Sequence, residues 1–202
     1  MVMSKIPRPD IVWVDVETTG LSYEHDLLLE IGILLSDRKC NVIDYNTWLV
    51  GEPSWNDRVQ DAKLDEFVGP MHKESGLLME WEQALEVNPK LIHPRIVQDQ
   101  ILNWFDEHEL AYGQYPMAGS SVGFDRHMMG IHLPDVEQHF HYRNLDISSH
   151  KESCKLNNPH VYEQRPENPD PIHRPLPDIK DSITEYRYYM ENYLWVDFGD
   201  EE

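Results

Sequence analysis

Three apolar segments within the first fifty residues have the pattern of β-strands. Ile11 to Val16 is a short run rich in β-branched residues, which is typical of a buried strand. Leu27 to Leu35 repeats this pattern with a single carboxylate, Glu30, among the apolar residues. Val42 to Val50 alternates more clearly between apolar and polar positions. Because the three segments are close in sequence, we predict an antiparallel meander.

The middle of the chain has the pattern of helices with two further short strands. Residues 53–94 are mixed and acidic, and they predict one or two helices. A clearer helix begins at residues 92–94, with apolar side chains on one face at Ile96, Val97, Ile101, Leu102, Trp104 and Phe105. The following elements are predicted to be a strand at Met117–Gly119, a helix at Phe124–Leu133 that Pro134 ends, and a strand at Asn144–Ile147.

The last part of the chain combines a proline-rich segment with a final helix. Asn157 to Pro177 contains prolines at 159, 166, 169, 171, 175 and 177, so we predict a loop without helix. The closing helix is predicted from apolar residues on one face at Ile179, Ile183, Tyr186, Met190 and Tyr193. Strands followed by alternating helix and strand indicate an α/β fold with a mixed sheet. We expect residues 1–202 to form one domain with a disordered N-terminus and a frayed acidic tail.

The net charge of the chain limits the kinds of molecule that it can bind. The chain has 37 acidic and 17 basic residues and a formal net charge of −20, so long duplexes and anionic membranes should be repelled. A short nucleic acid held at a metal site is still compatible with this charge. No apolar run has the length of a signal peptide or a membrane span, and we expect a cytoplasmic protein. The wide separation of Cys40 and Cys154 does not suggest a zinc ligand pair.

Two carboxylates at the end of the first strand are the sharpest chemical feature. Alternation places Asp15 and Glu17 on one face of the strand, with Val16 on the other. Adjacent carboxylates repel each other and are costly to desolvate, whereas a divalent cation removes that cost. Ligands that are all oxygen suit Mg²⁺ or Mn²⁺. The alternative is a solvated strand end that carries two acids.

Further polar residues follow at element ends later in the chain. Asp125 comes after a strand and a tight turn, at an expected exposed helix start. His173 lies on the proline-rich segment, and Asp178 precedes the last helix. Taken singly, Asp125 reads as an acid at a helix N-terminus and Asp178 as an N-cap. Their order after Asp15 and Glu17 favours a single site instead.

This set of residues resembles the 3′–5′ exonucleases of the DEDD superfamily, in the branch whose last motif carries a histidine. Asp15 and Glu17 match the first motif, Asp125 the second, and His173 with Asp178 the third. The oligoribonucleases are similar over three further segments, namely Trp13–Leu21, His72–Leu77 and Phe140–Ser149. The resemblance extends from about Ile11 to about Tyr193. It implies a ribonuclease H-like fold, with a mixed five-stranded sheet flanked by helices.

The resemblance also implies the chemistry of the site. Two divalent ions, Mg²⁺ or Mn²⁺, would be held by Asp15, Glu17, Asp125 and Asp178, with Asp15 shared between them. His173 would be the general base that takes the proton from the attacking water. The substrate would be short single-stranded RNA and the product a 5′-mononucleotide. We expect the loop that carries His173 to close over the substrate.

A closed pocket for a dinucleotide is the family's implied basis of length selection. Its 5′-phosphate cap would use His72, Ser121, Arg143 and Ser148. Leu21 would wedge against a base, Phe67 stands where a tryptophan is usual, and Tyr142 with Arg143 would lie near a homodimer interface. Core positions for Leu21 and Phe67, and a surface salt bridge for Arg143, are the alternatives.

The chain departs from the family pattern at several positions without losing a metal ligand. Pro177, Phe124 and Ser120 replace residues that are commonly acidic or polar, and the segment after Ser149 reads as proline-rich rather than helical. Two other functions are therefore considered. One is a general single-strand exonuclease, and the other is a non-catalytic binding module that has kept an exonuclease fold.

Overall fold

A mixed five-stranded sheet runs through the centre of the molecule. The computed structural model describes residues 7–195. The strand order is β3-β2-β1-β4-β5, with β1 at Ile11–Thr18, β2 at Leu28–Ser36, β3 at Val42–Leu49, β4 at Pro116–Gly119 and β5 at His141–Asp146. The first three strands are antiparallel, whereas β4 pairs in parallel with both β1 and β5. The predicted meander and the mixed α/β sheet are confirmed.

The fifth strand differs from the prediction at both ends. It begins at His141 rather than at Asn144, and Ile147 starts a helix instead of ending the strand. Residues 142–144 are exposed, because β5 is an edge strand that pairs only with β4. An exposed edge strand lacks the apolar run by which a buried strand is recognised in sequence.

The helices lie on both faces of the sheet. Within residues 7–195 they are α1 at Asn56–Leu64, α2 at Val68–Glu74, α3 at Leu77–Val87, α4 at Pro94–Glu107, α5 at Gly123–His132, α6 at Pro134–His139, α7 at Ile147–Asn157, α8 at Pro159–Glu163 and α9 at Pro175–Asn192. The prediction of one or two helices over residues 53–94 is wrong, since three α-helices and a 3-10 turn precede α4. Gly76 separates α2 from α3 with a φ of 76°, a conformation that glycine adopts without strain.

The prediction of a helix-free loop at Asn157–Pro177 is also wrong. Helix α8 begins at Pro159 and α9 begins at Pro175, so the irregular segment is only 164–174. The chain after Ser149 is helical as well, within α7. The first position of a helix tolerates proline because its N–H would have no partner there and its φ is already suitable. Pro134 acts in the same way, following α5 and starting α6.

Alternation along β1 separates the two cores. Val12 and Val14 pack into a large core with α3 and α4. Trp13 packs on the opposite face, into a smaller core with α7 and α9. Asp15 and Glu17 continue the face of Trp13, and the site therefore forms between the sheet and the start of α9.

The two cysteines, Cys40 and Cys154, are both buried and free. None of the helices within residues 7–195 is long and apolar enough to cross a bilayer. The predicted disordered N-terminus and frayed acidic tail fall largely outside the described residues. The single-domain organisation stays a prediction.

Candidate active site

Neighbouring strands place the first two carboxylates in a fixed register. Asp15 is paired with Gly32 of β2, and Glu17 is paired with Glu30. The four positions lie on the face of the sheet that α9 covers. Glu17 is only 6% exposed, and this burial excludes the alternative of a solvated strand end.

Gly32 allows α9 to approach the sheet beside Asp15. A Cβ atom on Gly32 would lie 2.5 Å from the Cβ of Pro175, the first residue of α9. The first turn of α9 carries Asp178, and one carboxylate oxygen from each of Asp15, Glu17 and Asp178 lies within 4.8 Å of the other two. The N-cap of α9 is Arg174, so Asp178 does not cap the helix and its carboxylate is free to act as a ligand.

Asp125 reaches the same strand from helix α5. Its Oδ1 accepts a hydrogen bond of 2.9 Å from the backbone N–H of Val16. Asp125 is 6% exposed, and the expectation of an exposed helix start is wrong because α5 packs its first turn against β1. The charge of Asp125 raises the pKa of Asp15. The structure thus brings Asp125 next to the three clustered carboxylates. Asp125 itself does not belong to the group whose oxygens lie within 4.8 Å of one another.

The carboxylates of this site all resist ionisation. Burial raises the pKa of Glu17 to about 8, that of Asp125 to about 7 and that of Asp178 to about 6. Burial also raises the pKa of Asp15 well above its usual range, and the charges of Asp125, Glu17 and Asp178 add to this effect. A divalent cation would reverse the shift by stabilising the ionised forms. The oxygen-only donor set fits Mg²⁺ or Mn²⁺.

His173 lies on the irregular segment 164–174, shortly before α9, and is not one of the three clustered residues. Its backbone is left-handed, with a φ of 55°, which is uncommon for a residue other than glycine. The charge of His173 lowers the pKa of Asp178, as expected for an imidazole near that carboxylate. His173 also lines a cavity of about 500 Å³ together with Met71, Glu74 and residues 169–172.

His72 is fully buried beside Glu17. Its Nε2 atom lies 2.8 Å from the carbonyl oxygen of Thr18, and its Nδ1 atom lies 3.9 Å from a Glu17 carboxylate oxygen. Nδ1 has no hydrogen-bond partner among the described residues. Burial lowers the pKa of His72, which favours the neutral form of the ring. The structure therefore groups His72 with the carboxylates, while its predicted contact with a 5′ phosphate stays untested.

Two of the predicted cap residues are joined directly. Ser121 Oγ lies 2.9 Å from Ser148 Oγ. The backbone N–H groups of both serines donate to Asp146 Oδ1, at 3.0 and 2.9 Å. The guanidinium of Arg143 lies 5.1 Å from the ring centroid of Tyr142. In the described chain no hydrogen bond links Arg143 to either serine.

The predicted base-contacting residues are strongly exposed. Leu21 is 82% exposed and Phe67 is 84% exposed. These values exclude the alternative that either residue belongs to the core. Tyr142 is 75% exposed on the edge strand β5. All three apolar surfaces are available for contact with a ligand or another chain.

A cavity of about 420 Å³ opens beside the carboxylates. Two basic side chains that the sequence analysis does not predict belong to its lining. Asp15 and Asp178 line it together with Lys151 and Arg165. Lys151 lies 3.6 Å and Arg165 lies 3.9 Å from the same Glu185 oxygen. The signal for Lys151 was its position three residues after Ser148, on the same face of α7. The volume of the cavity is within the usual range for small-ligand sites.

Comparison with protein families gives one match that spans most of the chain. The model of the RNase_T family, described as exonuclease, matches residues 12–186. The match includes Asp15, Glu17, Asp125, His173 and Asp178.

Curated relatives cover nearly the whole chain. An oligoribonuclease of Cutibacterium acnes is 36% identical over 183 residues, which are 90% of this chain and 84% of the relative. An oligoribonuclease of Aromatoleum aromaticum is 35% identical over 185 residues, 91% of this chain and 94% of the relative. An oligoribonuclease of Streptomyces griseus is 36% identical over 184 residues, 90% of this chain and 85% of the relative.

Solved structures of more distant proteins have the same fold. An exonuclease I from Methylocaldum szegediense superposes with a TM-score of 0.62 at 16% identity, covering 91% of this chain and 41% of that one. A zinc-bound complex of E. coli exonuclease I with single-stranded DNA gives a TM-score of 0.58 at 12% identity, covering 93% and 42%. This chain spans about two fifths of the length of those proteins, and at such identities the likeness shows the fold alone.

Proposed function

The chain belongs to the RNase_T exonuclease family and, within it, to the oligoribonucleases, and we propose that it removes 5′-mononucleotides from the 3′ end of short single-stranded RNA. The chain is accordingly a hydrolytic 3′–5′ exoribonuclease. The observation that carries the proposal is the carboxylate cluster of Asp15, Glu17 and Asp178, with Asp125 bound to the same strand. A non-catalytic module would not need to keep four buried or half-buried acids in one place.

Divalent metal ions are the cofactors of this reaction. Asp15, Glu17, Asp125 and Asp178 would hold two of them, either Mg²⁺ or Mn²⁺. Bound there, the ions would supply activation of a water and neutralisation of charge on the phosphate and the leaving oxygen. The raised pKa of Glu17, about 8, and that of Asp125, about 7, support this assignment, because a bound cation would stabilise the ionised form of both acids near neutral pH.

His173 is the proposed general base. Its imidazole would accept the proton of the water that attacks phosphorus, while the 3′ oxygen of the penultimate nucleotide leaves. Its position on the irregular segment 164–174, close enough to lower the pKa of Asp178, supports this role. Closure of this segment over bound RNA would complete the site and exclude water.

The preference for very short RNA is proposed to come from the cap and the exposed apolar residues. The Ser121 and Ser148 hydroxyls lie together and offer donors to a 5′ phosphate. Leu21 and Phe67 are exposed and would contact the bases. The net charge of −20 supports this preference, since a long strand would need an extended basic groove. His72 is retained as a predicted contact of the substrate.

A homodimer would explain the position of Arg143. Arg143 and Tyr142 are exposed on the edge strand β5, and the Arg143 guanidinium lies 5.1 Å from the Tyr142 ring centroid. We propose that this edge faces a second copy of the chain, so that Arg143 reaches the cap of one protomer or its partner.

The two free cysteines support action in the reducing cytoplasm.

Product analysis on RNA of defined length tests the proposed function. RNA oligomers of two to ten residues would be incubated with Mg²⁺ or Mn²⁺, and products followed over time. We expect release of 5′-mononucleotides from the 3′ end and the highest rate on the dinucleotide. A faster reaction on a twenty-residue DNA strand would identify a general single-strand exonuclease instead. Absence of hydrolysis with either ion would overturn the enzymatic assignment.

A further inference from the structure

Arg174, the residue after the proposed base His173, forms hydrogen bonds with three separate elements of the fold. Arg174 Nε and Nη2 donate to the two carboxylate oxygens of Glu30 at 2.6 and 3.0 Å. Nη2 also donates to Glu80 of α3 at 2.8 Å, and Nη1 donates to the carbonyl oxygen of Ser75 at 3.4 Å. The guanidinium therefore joins strand β2, helix α3 and the end of α2 to the backbone beside His173.

The pair between Arg174 and Glu30 is well shielded from water. The side chain of Glu30 is 3% exposed and that of Arg174 is 19% exposed. Two parallel hydrogen bonds between a guanidinium and a carboxylate fix both distance and orientation. Lysine could not reproduce this geometry, because its ammonium is a single point charge.

Stability alone does not account for this buried pair. The other residues of β2 are also buried, and most of them are apolar. A buried ion pair is often no more stabilising than apolar residues of similar size. The ion pair fixes the orientation of the backbone that carries His173. An apolar side chain would not provide such a directional contact.

The backbone of His173 needs such an attachment. Its φ of 55° is a conformation that persists only where the surroundings enforce it. On one side of His173 lies the irregular segment, and on the other lie Arg174 and then Pro175, which packs against Gly32. Glu30 and Gly32 are two residues apart on the same face of β2, so one strand holds both residues that follow His173.

Arg174 has little capacity left for direct contact with RNA. Each of its three nitrogens already donates to a protein oxygen. Its hydrogen bonds to Glu30 raise its pKa further, and it stays charged throughout. These engaged donors argue for a role in positioning rather than in catalysis.

We propose that Arg174 is a positioning residue which, through Glu30 and Glu80, holds the backbone of His173 in its left-handed conformation next to the start of α9, and so positions the imidazole for the proposed proton transfer. This inference rests on the proposed function, in which His173 is the general base. The charge of Arg174 also acts directly on Glu17, where it opposes the rise in pKa that burial causes, but at saturating metal its effect on kcat should pass through His173 and disappear once the imidazole is absent.

A double-mutant cycle in the chain of residues 1–202 tests this role. R174A, H173A and the double variant would be compared with the unaltered protein on a 5′-phosphorylated RNA dinucleotide with saturating Mn²⁺. We expect R174A to lower kcat by about 10- to 100-fold, the range for a misplaced catalytic group, with KM changed by less than about threefold. In the H173A background the same change should have no further effect on kcat.

Two other measurements separate positioning from a general structural role. R174K should recover part of the lost kcat, because an ammonium can keep one of the bonds to Glu30. Manganese affinity, measured by calorimetry, reports the direct effect of the Arg174 charge on Glu17, and kcat is measured at saturating Mn²⁺ in every variant so that this effect does not contribute. K63A, which removes the ion pair of Lys63 with Glu82 between α1 and α3, is the control and should keep kcat. If R174A melts below the assay temperature, the cycle is run with R174K, for which the expected loss is smaller.

The outcomes distinguish this inference from the proposed function. An equal loss from R174A with and without His173 would overturn the positioning role. So would an unchanged kcat in R174A, or a loss that only follows manganese affinity. A fully active H173A variant would instead refute His173 as the base, and with it the proposed mechanism.

Discussion

The backbone N–H of Val16 donates a hydrogen bond of 2.9 Å to Asp125 Oδ1. This bond fixes the first turn of α5 against the strand that carries Asp15 and Glu17. Asp125 therefore has two functions, as the acceptor for a buried N–H group and as a member of the carboxylate site. Substitutions that remove one function and keep the other can separate them.

Replacement of Asp125 by asparagine should abolish most activity while preserving the fold. The amide keeps an acceptor for the Val16 N–H but loses the charge that a divalent ion requires, so turnover should fall by orders of magnitude. D125A should lose the same activity and, in addition, about 1–3 kcal/mol of stability, since a buried N–H group is left without a partner. Turnover assays and urea unfolding measure the two effects. Near-normal turnover in D125N would remove Asp125 from the site.

The metal-free protein should lose stability as the pH rises. The pKa of Glu17 is raised from 4.5 to about 8 in the folded state. Between these values the folded state holds a proton that the unfolded state has released, so the free energy of unfolding decreases with increasing pH. Thermal melts in EDTA between pH 5.5 and 8.5 should show a fall of several degrees, because about 1 kcal/mol corresponds to about 2–4 °C at this size.

Divalent ions should reverse this trend, because they replace the protons of the cluster. The melting temperature should increase with Mn²⁺, most strongly at high pH. E17Q should have a smaller pH slope without metal, whereas the control E86Q, at an exposed position of α3, should keep the original slope. A metal-free melting temperature that increases steadily with pH would contradict the assigned pKa shifts.

Arg143 should matter most for the shortest substrates. If it binds the 5′ phosphate together with Ser121 and Ser148, R143A should lower kcat/KM for a 5′-phosphorylated dinucleotide by about 10- to 100-fold, as expected for a charge-assisted hydrogen bond. The effect on seven-residue RNA and on unphosphorylated dinucleotide should be much smaller. R95A, at an exposed position of α4, is the matched control. Equal losses on both lengths would assign Arg143 a structural role.

Gly32 should be required for metal binding although it offers no ligand. The added Cβ in G32A would meet the Cβ of Pro175 at 2.5 Å, and the rigid proline ring would have to move. The start of α9 would then move Asp178 away from Asp15, and Mn²⁺ affinity should fall by about tenfold or more. G130A is the control, since its Cβ would meet only Glu137 Cγ at 3.9 Å and should slightly stabilise α5. Unchanged Mn²⁺ affinity in G32A would contradict this account of the site.

The sequence by itself determined the parts of the site that depend on local periodicity. Alternation along β1 was enough to place Asp15 and Glu17 on one face, and the apolar pattern was enough to predict the first three strands and the closing helix. Each of these inferences depends only on the geometry of one element. The proline pattern gives the wrong prediction for residues 157–177, because Pro159 and Pro175 occupy first helical positions and do not break a helix.

Only the tertiary structure decided which distant residues meet. Arg174 and Glu30 are 144 positions apart, and no local pattern predicts that α9 begins where strand β2 has a carboxylate and a glycine. The burial of His72 and Asp125 likewise follows from how α2 and α5 pack against β1. These contacts depend on strand register and on the close approach of helix to sheet, which are set by the packing of the whole core rather than by any single segment.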